Sequence, residues 1–201
     1  STFAAQDTSK ERAEVVSSTG VALVVEIVDA RATSKMLADI HELFSVTVER
    51  ERGRPVAILG REALAVFGIG GMREREVERA VDAALALFRG VCAVFDDAGY
   101  EWSSTEVRIG LEMGRIETRG VGLSWGTALV SGEGIDGART LLRACQDSGV
   151  FLGKFAWREV KSIYDGASSS GGHRVLSRRR VPIMQEPSLV GGQAVPFVGR
   201  D

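Results

Sequence analysis

The stretch VALVVEIVDAR (21–31) decides how the rest of the chain is read. VALVVEIV is rich in β-branched residues and too short for a core helix, so it predicts a buried strand ending in a charged turn, Asp29-Ala30-Arg31. From Thr33, a plausible N-cap, Met36, Leu37, Ile40, Leu43, Phe44 and Val48 recur at helical spacing until Gly53 stops the run. PVAILG (55–60) and EALAVFG (62–68) are short apolar runs hinged at Gly60–Arg61, the pattern of a tight hairpin. GIGG (68–71) then breaks the chain. Val77, Ala80, Val81, Ala84, Leu85, Phe88, Val91, Cys92 and Phe95 keep a three–four spacing that predicts a long helix.

Farther on, EVRIGLEMGRIET (106–118) alternates as a long strand and WGTALVSG (125–132) as another. GIDGARTLLRACQ (134–146) reads as a helix, GVFLG (149–153) as a short strand, FAWREVKSIYD (155–165) as a short helix, and HRVLS (173–177) as a final strand. SSSGG (168–172) reads as a flexible loop. This order predicts an α/β (α+β) fold of the ferredoxin-like kind, a mixed sheet with helices packed on one face. The expected organisation is a linker over 1–18, one domain over 19–177, and a Pro- and Gly-rich linker over 178–201 whose Arg178–Arg180 cluster is solvated charge.

Composition narrows the function classes. With 201 residues, 44% of them hydrophobic, the chain can bury a full core without disulfides. A formal charge of −2 gives no electrostatic reason for a nucleic acid or an anionic membrane as partner. No apolar run approaches the ~20 residues of a membrane span. The polar start shows no signal sequence, so a cytoplasmic domain is expected. Cys92 and Cys145 lack metal-ligand spacing and lie on apolar helix sides, as buried small hydrophobes. His41 and His173 have no ligand partners at useful spacing, and Gly132–Gly137 lacks the Lys-Ser/Thr of a P-loop.

Four collinear stretches, VALVVEIVDAR (21–31), GRPVAILGREALAVFG (53–68), VRIGLEMG (107–114) and LVSGEGIDGARTL (129–141), carry a resemblance. Gly60, AVFG (65–68), Gly110, Gly114 and Gly132 are similar in order and spacing to the framework of class III adenylate/guanylate cyclase catalytic domains, over about Val21 to Tyr164. The resemblance implies that fold, a head-to-tail dimer, and a reaction in which the ribose 3′-oxygen of ATP or GTP attacks the α-phosphate. Two carboxylates would hold two divalent cations, Mg or Mn, for that step.

The positions that the resemblance assigns to chemistry carry other side chains. The metal carboxylates fall on Glu26 and Arg61, and a guanidinium repels a cation. Glu62 is adjacent, but neighbours on a strand point to opposite faces. The nucleotide-binding positions fall on Asp29, Ala30 and Arg31 in the phosphate turn and on Ala57 and Leu129 at the base. The transition-state asparagine and arginine fall on Asp136 and Thr140, with Arg139 one step off, about 100° around a helix.

The resemblance therefore implies an inactive cyclase-homology domain needing no cofactor, a dimerisation and regulatory module of a larger bacterial signalling protein. PFVGRD (196–201) is similar to the opening of the ATPase domains that follow such modules. One alternative is a metal-independent nucleotide or anion sensor using Arg31 and Arg61. Another is a weak cyclase acting on ATP or GTP. In the inactive case, Arg61 is expected to pair with Glu26 or Asp29 and plug the metal site.

Overall fold

The structure, a computed structural model, describes residues 15–72, 74–101, 106–119 and 129–179, with the backbone of 189–190 and 193–194. Its elements follow the order β1 (Val15–Ile27), α1 (Ser34–Arg50), β2 (Arg54–Leu59), β3 (Glu62–Phe67), α2 (Glu76–Asp97), β4 (Val107–Arg119) and β5 (Leu129–Ser131). Then come α3 (Glu133–Ala144), β6 (Gly149–Leu152), α4 (Lys154–Val160), β7 (Tyr164–Ser169), β8 (Gly172–Arg178), β9 (Leu189–Val190) and β10 (Gln193–Ala194).

One mixed sheet runs β2-β3-β1-β4-β6-β8-β7, with β5 paired to the far end of β4. β4 and β6 are parallel; the other pairs are antiparallel. Strand alternation sorts β1 into two faces. Val21, Leu23, Val25 and Ile27 join the main core with α1, α2 and α4 (Phe44, Leu87, Phe95, Val160). Ala22 and Val24 face the other way, onto Ile135, Ala138 and Leu142 of α3. The expected mixed sheet is thus found with three helices on one face and α3 on the other.

Glycine makes the α3 face possible. A Cβ on Gly110 would stand 2.8 Å from the Ala138 carbonyl oxygen, and one on Gly114 2.8 Å from the Gly134 nitrogen. The two glycines share a strand face, so α3 rests directly on the β4 backbone. At the other end of the core, Thr33 caps α1 by accepting from the Met36 amide at 3.3 Å. α1 closes with Arg52 in the left-handed region (φ 63°), while the Arg52 and Gly53 amides donate to Glu49 and Val48.

Several expectations need correction. β1 begins at Val15, inside the segment read as a linker, because Val15 to Gly20 pair along β4 as far as Arg119. The long partner strand, rather than any apolar period, sustains that extension. FAWREVKSIYD is divided: the helix ends at Val160, and Tyr164 opens β7. SSSGG is a hairpin joining β7 to β8, with Gly171 at φ 84°, and polar β7 is an edge strand whose residues other than Tyr164 are mostly exposed. Beyond 177, β8 runs on to Arg178, and a short β9–β10 hairpin follows. Of WGTALVSG, residues 125–128 lie outside the described residues, as do 1–14 and PFVGRD.

Candidate functional site

β1 delivers the chain into a short loop that two arginines organise. The Val28 and Asp29 amides both donate to the Glu106 carbonyl, at 2.9 and 3.1 Å, which turns the Asp29 side chain inward to 4% exposure. Its Oδ1 accepts from the Arg31 amide (3.0 Å) and Nε (2.8 Å), and Oδ2 accepts from Nη2. This clasp, chiefly the Arg31 side chain, holds the Asp29 carboxyl at a pKa of about 2 against an ordinary 3.8. The Arg31 guanidinium also lies over the Tyr100 ring, 4.8 Å from its centroid.

Arg61 reaches the same loop from the hairpin. Its Nη1 donates to the Asp29 carbonyl, and Nη2 approaches the Ala30 and Ala32 carbonyls at 3.4 Å each. His41 Nε2 on α1 meets the Gly60 carbonyl at 2.9 Å and pins the hairpin tip. The expected pairing of Arg61 with a carboxylate is therefore corrected. Arg31 takes the Asp29 carboxylate, and backbone carbonyls receive Arg61.

Glu26 and Glu62 stand opposite each other in the β1–β3 register, on the face that carries α3. Glu62 Oε1 accepts from Arg139 at 3.1 Å (Nε) and 2.6 Å (Nη2). Glu26 lies 3.8 Å from Arg108 Nε, and Arg108 Nη1 donates to the Leu142 and Cys145 carbonyls at the end of α3. Glu26, Glu62, Arg139 and Arg143 line a recess of about 280 Å³. Asp136 and Thr140 do not join it. They line a separate recess of about 470 Å³ with Glu112, Glu133 and Gly153. The helical step between Arg139 and Thr140 produces this division.

The two base-reading positions also fail to converge. Ala57 packs against the cluster around Leu64 and Val66, whereas Leu129 is 71% exposed. Val130, one residue on, is the one that shares the Ala57 cluster. Arg108 and Val130 escaped sequence reasoning. Arg108 shows itself only as a cation in an alternating strand, and Val130 only through strand register.

These donors do not fit a pair of divalent cations. Glu26, Glu62 and Asp29 each face an arginine, and a fourth cation, Arg61, fills the loop. Among the described residues no group of three or more His, Cys, Asp or Glu is arranged to hold a metal ion. Cys92 and Cys145 are buried and unpaired, and burial pushes both thiols up in pKa. His173 stacks on Trp157 at 4.7 Å. No described helix is long and apolar enough to cross a membrane.

No protein-family model matches the sequence, and no curated protein matches it. Solved structures do. The adenylyl cyclase CyaB from P. aeruginosa aligns at a TM-score of 0.69 and 14% identity, over 83% of this chain and 98% of that one. The non-canonical dimeric guanylyl cyclase domain of the RhoGC fusion protein from the aquatic fungus Blastocladiella emersonii aligns at 0.67 and 17% identity, over 84% and 99%. A class III adenylyl cyclase-like ATP-binding protein from Pseudomonas aeruginosa aligns at 0.60 and 18% identity, over 77% of this chain and 38% of that one. With its sheet order, its α3 seated on Gly110 and Gly114, and these alignments, the chain has the fold of the class III adenylyl/guanylyl cyclase catalytic domain.

Proposed function

We propose that this domain is a non-catalytic member of the cyclase fold, a dimerisation and regulatory module of a larger signalling protein. The observation that carries the reading is Arg61. At the position where the fold's chemistry calls for a metal carboxylate stands a guanidinium spent on the carbonyls of the β1–α1 loop. The arginines around Glu26 and Glu62 supply, in fixed form, the positive charge that cations would bring. Losing one preorganised electrostatic donor typically costs an active site ~10²–10³ in rate. Here the second carboxylate, the base readers and the transition-state pair are all replaced.

Dimerisation draws on the likeness to a guanylyl cyclase domain that forms a non-canonical dimer, which supports pairing but no particular interface. A two-fold interface needs the fold's surface but not its catalytic groups. The domain of this reading, expected over 19–177 with flanking connectors, extends to the start of β1 at Val15 and the end of β8 at Arg178.

The test is direct. The purified chain, incubated with ATP or GTP and Mg²⁺ or Mn²⁺, should form no cyclic nucleotide above a protein-free blank, and should sediment as a dimer. Sustained cAMP or cGMP production would overturn the reading.

One observation favours the weak-cyclase alternative, the juxtaposition of Glu26 and Glu62 across β1 and β3. Turnover with Mn²⁺ that disappears in Glu26→Gln would support it. The sensor alternative draws on the likeness to an ATP-binding protein. Against it, Arg31 and Arg61 already have intramolecular partners. Calorimetry with ATP in EDTA decides it, since heat of binding would revive the sensor and its lack would end it.

A further inference from the structure

The Arg178–Arg180 cluster reads from sequence as solvated linker charge. The structure gives its first residue a different setting. Arg178, the last residue of β8, donates to Glu78 Oε1 and, at 2.9 Å, to Asp82 Oδ2, both on the first turns of α2. Glu78 is buried, with a side chain 7% exposed, and Arg75 grips the same carboxylate through two 2.7 Å bonds, to Oε1 and Oε2. Asp82 Oδ1 accepts at 2.6 Å from the hydroxyl of Tyr164, a fully buried residue that opens β7 and whose hydroxyl oxygen also lies 3.2 Å from the Glu78 carbonyl.

Three elements thus meet in one knot, and its members differ in how easily they let go. Tyr164 is locked in the core, while the Arg178 side chain is 47% exposed. Arg75, the other partner of Glu78, sits in the left-handed region (φ 71°) at the start of α2, a conformation unfavourable for a residue with a Cβ. Arg178 therefore shares with a strained residue the task of neutralising a buried carboxylate. If Arg178 withdraws, Arg75 is the one remaining cation on Glu78 among the described residues. One residue later, the Arg179 amide donates to the Ile163 carbonyl (2.8 Å) and its Nε to Asp165 (2.8 Å), and the chain continues into residues 180–201.

We infer that Arg178 is a latch coupling the point where the chain leaves β8 to the first turns of α2. A displacement of the segment after 179 that pulls Arg178 away loosens the start of α2. By reciprocity, whatever loosens the start of α2 releases the end of β8. The device does not depend on whether the domain acts on a nucleotide, so its failure would leave the proposed function untouched. It supplies a route by which the sequence after the domain could sense or set the domain's state.

Hydrogen exchange of the full 201-residue chain tests the latch in both directions. Arg178→Ala should speed exchange about tenfold in peptides covering 76–82, the loss of one charge-assisted contact read as a change in local opening. Glu78→Gln should speed exchange comparably in 172–179. Arg179→Ala, the control, should change only 163–166 and its own neighbourhood. If either variant affects only its own element, the contacts are independent and the latch is refuted. Should Arg178→Ala fail to fold, Arg178→Lys keeps the charge but not the two-pronged grip. The same peptides should then accelerate less, and unchanged exchange at 76–82 would refute the latch equally.

Discussion

Arg61 and Asp29 meet through the backbone. The guanidinium donates to the Asp29 carbonyl, while Arg31 closes the Asp29 carboxylate from the opposite side. The loop after β1 is therefore held by two arginines with different duties, one on the side chain and one on the main chain. Aspartate in place of Arg61 would be too short to reach the loop and would leave three carbonyl oxygens without that donor. This loop is held by its arginine, so a carboxylate at position 61 is expected to loosen the loop rather than rebuild a metal site.

The first prediction follows. Arg61→Asp should produce no cyclic nucleotide from ATP or GTP with Mn²⁺, because Glu26 and Glu62 still face Arg108 and Arg139. The same variant should lose about 1 kcal/mol of stability from its charge-assisted bonds to the loop, a fall in melting temperature of about 2–4 °C for a chain of this size. A cyclic-nucleotide assay and thermal unfolding on one preparation check both parts. Activity in this variant would show that Arg61 alone had silenced an otherwise competent site.

Asp29 gives an acid signature. Its folded pKa, about 2, lies below the ordinary 3.8, chiefly because Arg31 hydrogen-bonds the ionised form. A depressed carboxyl contributes stability that is present above the unfolded pKa and lost as pH falls through the folded one. The contribution should therefore be intact at pH 5 and fade between about pH 4 and pH 2. Asp29→Asn should cost about 1 kcal/mol at neutral pH, a figure reduced by the partial exposure of Arg31. The gap between variant and wild type should close across that window in urea unfolding curves.

Much of the fold was legible because its signals are local. The β1 run, the Thr33 cap, the Gly60 turn and the apolar stripe of α2 each declare themselves within one element. The elements that were missed depend on partners distant in sequence. Residues 15–18 are strand because β4 offers them hydrogen bonds, and β7 is strand because β8 folds back on it. The candidate site divides in the same way. The substitution at Arg61 is visible in sequence, but its partners are backbone carbonyls that every residue carries, so no side-chain pattern could name them. Val130 rather than Leu129 lies with Ala57 because β5 pairs with β4 in a particular register. A register shift of one residue exchanges the faces of a strand.

The glycines under α3 yield a packing prediction. Gly114→Ala would put a methyl group 2.8 Å from the Gly134 nitrogen, and Gly110→Ala one 2.8 Å from the Ala138 carbonyl oxygen. Backbone on both sides cannot yield as a flexible side chain would, so each variant should lose about 1–3 kcal/mol as α3 lifts from β4. Gly60→Ala is the contrast. A Cβ there meets nothing within 4 Å, and only its φ of 60° opposes the change, at about 1–2 kcal/mol. In near-ultraviolet and fluorescence probes of packing, the β4 variants should alter the native baseline and Gly60→Ala should leave it intact.

Tyr164 gives the alkaline counterpart to Asp29. Burial, and then the neighbouring Asp82 carboxylate that accepts its hydrogen bond, raise its pKa above the usual value. A group whose folded pKa is raised contributes stability that is complete below the unfolded pKa, ~10 for tyrosine, and is lost as pH climbs beyond it. The unfolded chain releases this proton while the folded chain must hold it, so stability should fall steadily above about pH 10. Tyr164→Phe removes both the proton and the bond to Asp82. It should cost about 1 kcal/mol at pH 7, because the half-buried Asp82 carboxylate loses a donor while keeping Arg178. The same variant should show a shallower decline above pH 10 than wild type, so that the two stabilities converge in alkali. Parallel declines in chemical unfolding at pH 7, 9, 10 and 11 would mean that Tyr164 does not govern the alkaline limb.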